Sequence, residues 1–191
     1  VLARIPIRNN ADDRYFTDTY QGLPADGYTA MIARMLDGVE VQTGVDYLED
    51  EEYWNAQARE VIYTGALDQY YGYDAGRLEY RSLTFDTMRV DAKQFQGAAT
   101  VNYCDLDVPY TRICDWGYFW PREVAHTVIT AEYPAAKGEP YYPVNDAANN
   151  ALHAAYMARA EKADWLHIGG RLGSYRYWNM DQTAGAAMAK V

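Results

Sequence analysis

Disulfide chemistry has almost no material in this sequence: its 191 residues hold two cysteines, Cys104 and Cys114, too few for a disulfide framework. Reduced thiols fit a cytoplasmic protein, with a bridge between neighbouring strands as the lesser alternative. Histidine is equally sparse. His126, His153 and His167 are too widely spaced for a metal motif, so no metal is expected. No apolar run approaches the roughly 18 residues needed to cross a bilayer. Lys and Arg number 17 against 27 Asp and Glu, a net charge of −10. That balance speaks against a nucleic-acid groove, because phosphate backbones attract basic surfaces. A few local arginines can still hold a small phosphorylated ligand. The sequence also lacks a P-loop, a GxGxxG fingerprint and a Ser/His/Asp nucleophile signature. Side-chain acid–base or nucleophilic catalysis has no visible carrier, so an enzymatic role points to a cofactor for the hard step. The start, Val1-Leu2-Ala3-Arg4, shows neither an initiating methionine nor a secretory pattern, and reads as the interior of a longer chain.

What is present is a globular composition, 49% hydrophobic and 23% charged, with 19 tyrosines as the outlier. Tyrosine joins an apolar body to a polar tip and favours strands, so the excess suits either a sugar or nucleotide surface or a sheet. Apolar spacing over Tyr28–Leu36 predicts a helix. Alternation over Val39–Thr43 predicts a strand. The acidic stretch Glu49–Asn55 reads as a loop with a short helical turn. Glu60–Gly65 reads as a buried strand ending in a glycine turn. Leu78–Val90, Ala98–Cys104, Tyr110–Trp116 and Val124–Tyr133 read as antiparallel strands. Asn145 or Asp146 caps a helix to about Ala163, followed by a short strand Trp165–Ile168 and a last helix Asp181–Lys190. This order predicts a mixed α/β (α+β) fold, with a central, mostly antiparallel sheet and flanking helices.

Several residues are suited to ligands. In Ile168-Gly169-Gly170-Arg171 an apolar run ends in glycines and an arginine, and an aromatic loop then leads into the last helix. Glycines permit close backbone approach, and a helix N-terminus offers free N–H groups to an electron-rich ligand. A tight strand-to-helix connection accounts for the same pattern. Arg112 lies inside a predicted strand, where it must face solvent, pair with a carboxylate or meet a ligand. Glu139-Pro140-Tyr141-Tyr142-Pro143-Val144-Asn145 reads as a rigid aromatic turn, held by its prolines.

Read in order, these pieces resemble the prokaryotic UDP-galactopyranose mutase family. The resemblance is carried by Arg4-Ile5-Pro6-Ile7-Arg8, Asp13-Arg14-Tyr15-Phe16, Tyr20-Gln21-Gly22-Leu23-Pro24 and Gly27-Tyr28-Thr29. It continues through Tyr63-Thr64-Gly65, Leu78-Glu79-Tyr80-Arg81-Ser82-Leu83, Val108–Ile113, Glu139–Asn145, Gly169-Gly170-Arg171-Leu172 and Tyr175–Gln182. It implies the C-terminal half of such a protein, without the N-terminal Rossmann unit that binds the ADP part of FAD. Residues 1–37 would end a helical substrate-binding region, and 38–191 would form the central sheet and the flavin-contacting part. The implied activity interconverts UDP-galactopyranose and UDP-galactofuranose, for galactofuranose-containing cell-surface glycans. Reduced FAD would act as a non-redox nucleophile through its N5 on the anomeric carbon. The half chain alone would be inactive, and a homodimer is compatible with the family.

The resemblance implies roles for individual residues. Arg4 and Arg112 would clamp the diphosphate and stabilise the leaving UDP. Tyr15 would reach a phosphate, Phe16 would lie near the uracil, and Tyr142 and Tyr177 would donate hydroxyls. Tyr142 is fixed only to within one position of Tyr141. Gly170 and Arg171 would sit near the flavin, with the helix start at Met180-Asp181-Gln182 facing its pyrimidine edge. Asn179, counted with the substrate-binding residues, stands where the family commonly has aspartate, and Ala66 and Asp26 replace a proline and a glycine of the family pattern. These departures permit an altered substrate preference. Two other readings fit parts of the sequence: a related sugar-nucleotide-binding protein without catalysis, and an amine-oxidase-like flavoenzyme. The second would need an aromatic cage, which the arginine pair speaks against.

Overall fold

The computed structural model describes residues 9–11, 18–120 and 123–190. The chain divides into two compact units at Gln42/Thr43. The first contains α1 (Gly27–Met35), where Gly27 takes φ +81° at the helix start, a conformation that favours glycine. Tyr28, Ile32 and Met35 form an exposed apolar stripe along it. Val39–Thr43 forms no strand. Alternation alone does not make one, because a strand needs a neighbour to take its backbone hydrogen bonds.

The second unit opens with a 3-10 turn, Tyr47–Glu49, and helix α2 (Glu51–Gln57). The acidic stretch is therefore helical rather than a loop. Asp46 accepts the Leu48 N–H at 3.0 Å and Asp50 accepts the Tyr53 N–H at 3.1 Å. Glu51 and Glu52 lie in the first turn of α2, where negative charge suits the helix dipole.

Strand β1 (Val61–Tyr63) leads into the one-turn helix α3 (Leu67–Tyr70). A five-stranded antiparallel sheet is then built from β2 (Tyr80–Val90), β3 (Thr100–Asn102), β4 (Arg112–Asp115), β5 (Thr127–Ala135) and β6 (Tyr142–Pro143), in the order β3-β4-β5-β2-β6. The expected antiparallel sheet is thus present, with the proline-bracketed turn supplying its short edge strand β6. Proline suits that edge position, where no ladder N–H is needed. Helix α4 (Ala147–Ala160) follows, capped by Asp146, which accepts the Asn149 N–H at 2.8 Å. Strand β7 (Leu166–Ile168) pairs in parallel with β1, Val61 opposite Leu166. The chain then turns through α5 (Gly170–Gly173) into α6 (Met180–Met188).

Two small cores support this arrangement. Tyr63 and Leu67 pack with Tyr156 and Ala160 of α4 and with Leu166 and Ile168 of β7. Ile113, Ile129 and Ala131 form the second core on one face of the antiparallel sheet. Beside it, Asp115 is fully buried. Its carboxylate accepts the Phe95 N–H at 2.7 Å, the Gly117 N–H at 3.1 Å and the Thr127 hydroxyl at 2.5 Å. Burial pushes its pKa up, but these hydrogen bonds more than offset that and hold it below the usual carboxylate range. Cys104 and Cys114 are both free and do not face each other, since Cys114 lies opposite Thr100. Among the described residues no helix is long and apolar enough to cross a membrane.

Candidate functional site

Side chains alternate across a strand, so the sheet face opposite the Ile113 core carries Arg112 and Cys114 of β4. The β4–β5 register sets Arg112 opposite Glu132 and Cys114 opposite Thr130. Arg112 Nε lies 3.0 Å from Glu132 Oε2. This is a charge contact without hydrogen-bond alignment, for the Nε–H is not aimed at the carboxylate. Of the three fates open to a cation in this strand, the structure shows the ion pair. Thr130 adds a hydroxyl pair with Thr87 at 2.9 Å and accepts the Trp116 indole N–H at 2.8 Å.

The C-terminal segment forms the second part of the site. Tyr142 of β6 and Tyr177 stack with ring centroids 5.2 Å apart and planes at 16°. The Arg171 guanidinium carbon lies 4.5 Å from the Tyr177 centroid and 5.2 Å from that of Tyr142, within cation–π range of both. One terminal nitrogen of Arg171 donates to the Trp178 carbonyl at 3.3 Å. Its Nε and its other terminal nitrogen are buried and have no hydrogen-bond partner among the described residues. An unpaired buried donor is costly, so these two nitrogens mark a place for an acceptor beyond the described residues.

Tyr142 joins the two parts. Burial, then Tyr177, pushes its pKa up, while Arg112 and Arg171 both pull it down. Both cations therefore act on one phenol, which stays protonated and able to donate. Tyr141 is exposed and turns to Phe85, their rings 5.6 Å apart at 83°. Between these neighbours, Tyr142 is the one that faces the arginines.

Tyr175 holds this segment in place. It is buried with φ +49°, unusual for a residue with a side chain. Its hydroxyl sits 2.5 Å from the Glu79 carbonyl and 3.1 Å from that of Val144, tying the residues flanking β2 and β6 to the loop that carries Tyr177. Burial pushes its pKa up to about 12. Its ring stacks on His153 of α4 at 5.5 Å.

At the helix start, Asn179 is the N-cap of α6, and its own N–H donates to Gln182 Oε1 at 2.9 Å. Asparagine and aspartate serve about equally well as caps, so the departure at Asn179 keeps the helix terminus intact. Met180 and Asp181 are exposed in its first turn. Gly170, at φ +69°, has a packing reason of its own: a Cβ there would come within 2.9 Å of Thr64 Cβ. Among the described residues the structure therefore brings together Arg112, Tyr142, Arg171 and Tyr177, with Asn179, Met180, Asp181 and Gln182 at the adjoining helix end. Arg4, Tyr15 and Phe16 lie outside the described residues. Sequence reasoning missed Glu132 and Tyr175. A single acid in the otherwise apolar and hydroxyl-bearing run Thr127–Tyr133 was the available signal for the first.

The family profile described as UDP-galactopyranose mutase matches residues 1–177. A probable UDP-galactopyranose mutase of Klebsiella pneumoniae is 40% identical over 98% of this chain and 50% of its own length. A dTDP-fucopyranose mutase of Escherichia coli is 36% identical over 95% of this chain and 50% of its own length. A UDP-galactopyranose mutase of Mycoplasma pneumoniae is 34% identical over the whole chain and 52% of its own length. The chain spans about half the length of the curated relatives it matches.

Proposed function

Since this chain belongs to the UDP-galactopyranose mutase family, we propose that it forms the diphosphate- and flavin-facing half of an isomerase that interconverts UDP-galactopyranose and UDP-galactofuranose. The observation that carries this reading is the convergence of Arg112 and Arg171 on the hydroxyl-bearing stack of Tyr142 and Tyr177. Two guanidiniums and two phenols supply donors matched to phosphate oxygens and to a flavin's carbonyl edge. The parallel pair β1–β7 supports a longer parent. Parallel strands occur in sheets covered on both faces, yet Ile62 in the middle of β1 is 73% exposed.

The residues present fit a flavin. Arg171 carries two buried nitrogens without an acceptor among the described residues, and the start of α6 beside it offers a positive dipole end to an anionic reduced ring. Arg171, Gly170 and the Met180–Gln182 backbone would hold the ring edge. When bound, reduced FAD supplies the nucleophilic nitrogen for the anomeric carbon. The chain's own residues do the rest. Arg112 binds the diphosphate and stabilises the charge that grows on UDP as the glycosidic C–O bond breaks. Tyr142 and Tyr177 donate to the same oxygens and orient them. The pair keeps UDP in place while the sugar ring reopens and closes.

The test is conversion of UDP-galactopyranose by the full-length protein under reducing conditions, with dTDP-fucopyranose assayed in parallel because one relative is a dTDP-fucopyranose mutase. Furanose product from the UDP sugar supports the reading. Product only from dTDP-fucopyranose moves the substrate, and product from neither rejects catalysis. The pure 191-residue chain is expected to show no turnover, and measurable product from it would contradict the division of labour between halves.

A further inference from the structure

We propose that Glu132 is a positioning residue for Arg112, holding the guanidinium by a charge contact on its inner side so that the terminal fork is presented to the diphosphate. The proposal rests on the reading that Arg112 meets that diphosphate. Cross-strand pairing sets the two residues directly opposite each other on β4 and β5. The backbone is fastened at the same point, where the Glu132 carbonyl accepts the Thr111 N–H at 2.8 Å and the Thr111 hydroxyl at 3.2 Å. The carboxylate is 14% exposed and the Arg112 side chain 39% exposed. Arg112 Nε itself is buried, so the accessible part of the arginine is not the atom that faces Glu132. The second carboxylate oxygen is also occupied: the Cys114 thiol donates to Glu132 Oε1 at 3.7 Å. Burial, with Glu132 acting in the same direction, pushes the Cys114 pKa up, so the thiol stays a donor. Glu132 is thus held from two sides, and a held carboxylate can fix a flexible arginine in one geometry.

Two physical effects compete here. As a negative charge beside an anion site, Glu132 repels a diphosphate. As a fixed partner, it spares Arg112 the loss of freedom that binding would otherwise demand. The first predicts that removing the charge tightens UDP binding, and the second that it weakens it. Burial of Nε, and the anchoring of Glu132 at its backbone by Thr111 and at its carboxylate by Cys114, favour the second.

The experiment is calorimetric titration of the full-length protein with UDP and with uridine, for wild type, Glu132→Ala, Glu132→Gln and Arg112→Ala, with near-UV circular dichroism as the check on folding. Glu132→Ala is expected to weaken UDP on the order of tenfold. Glu132→Gln should fall between it and wild type, because an amide oxygen still faces Nε. Uridine, which has no diphosphate, should bind all the proteins alike. Glu132→Gln keeps the side chain's shape and carries the test if the alanine variant fails to fold. UDP affinity equal to or tighter than wild type in the Glu132 variants overturns the proposal. So does an equal loss for UDP and uridine, which is the mark of a merely structural residue. Wild-type UDP affinity in Arg112→Ala would instead overturn the diphosphate reading itself.

Discussion

The two arginine-bearing regions of the site are built in opposite ways. Arg112 stands on the antiparallel sheet with its counter-charge supplied by the chain, Glu132 at 3.0 Å on the neighbouring strand. Arg171 stands on a one-turn helix after the parallel pair, with two buried nitrogens that find no hydrogen-bond acceptor among the described residues. The charge of Arg112 is therefore compensated before any ligand arrives, whereas among the described residues that of Arg171 has no carboxylate partner. The paired arginine suits a substrate that must come and go. The unpaired, buried one suits a cofactor that stays.

Substitutions should break that comparison unevenly. The largest effect is expected at Arg112: in the full-length protein Arg112→Ala should lower turnover by several orders of magnitude, on the order of 3–5 kcal/mol, while flavin content stays near wild type. A loss under tenfold in steady-state assays would remove Arg112 from the diphosphate.

Next in size is Asp115, the last residue of the strand that begins at Arg112. Asp115→Asn should cost about 2–3 kcal/mol of stability in denaturant unfolding, because a fully buried acceptor of several hydrogen bonds becomes a poorer one. Its pKa lies below the unfolded value. Its contribution is thus present above the unfolded carboxylate pKa of about 4 and is lost as pH falls through the lower folded value. An unfolding midpoint that does not fall with acid, or an Asn variant as stable as wild type, would contradict this.

Arg171→Ala should act on the other region. The full-length protein should retain flavin about tenfold more weakly on dilution, as expected for a lost charge-assisted contact, with UDP affinity little changed. Retained flavin with lost UDP affinity would interchange the two arginines. The smallest effect is expected at the α6 cap, where Asn179→Asp should change stability by less than about 0.5 kcal/mol. A large change in turnover with that small change in stability would give the side chain a role beyond capping.

Much of this was legible in the sequence wherever the signal was local. Asn145 or Asp146 announced α4, and the β-branched and aromatic runs announced β2 to β5, because caps and alternating burial are written in adjacent residues. Val39–Thr43 had the alternation but no partner strand. Helix α2 was hidden by its acids, which hold its N-terminus. The elements α5 and β6 are too short to show a period. The arginines stood out as charges in apolar or glycine-rich surroundings. Glu132 did not, since its pairing depends on a register that joins positions 20 residues apart. Tyr175 was one tyrosine among 19, and only the fold shows it tying the two edges of the site together.

The central claim is that the face bearing Arg112 binds a nucleoside diphosphate through that residue, and calorimetric titration of UDP into the full-length wild type and its Arg112→Ala variant tests it most directly. The account predicts a saturable wild-type isotherm and an affinity on the order of 100-fold weaker in the variant. Equal affinities in two equally folded proteins would contradict it.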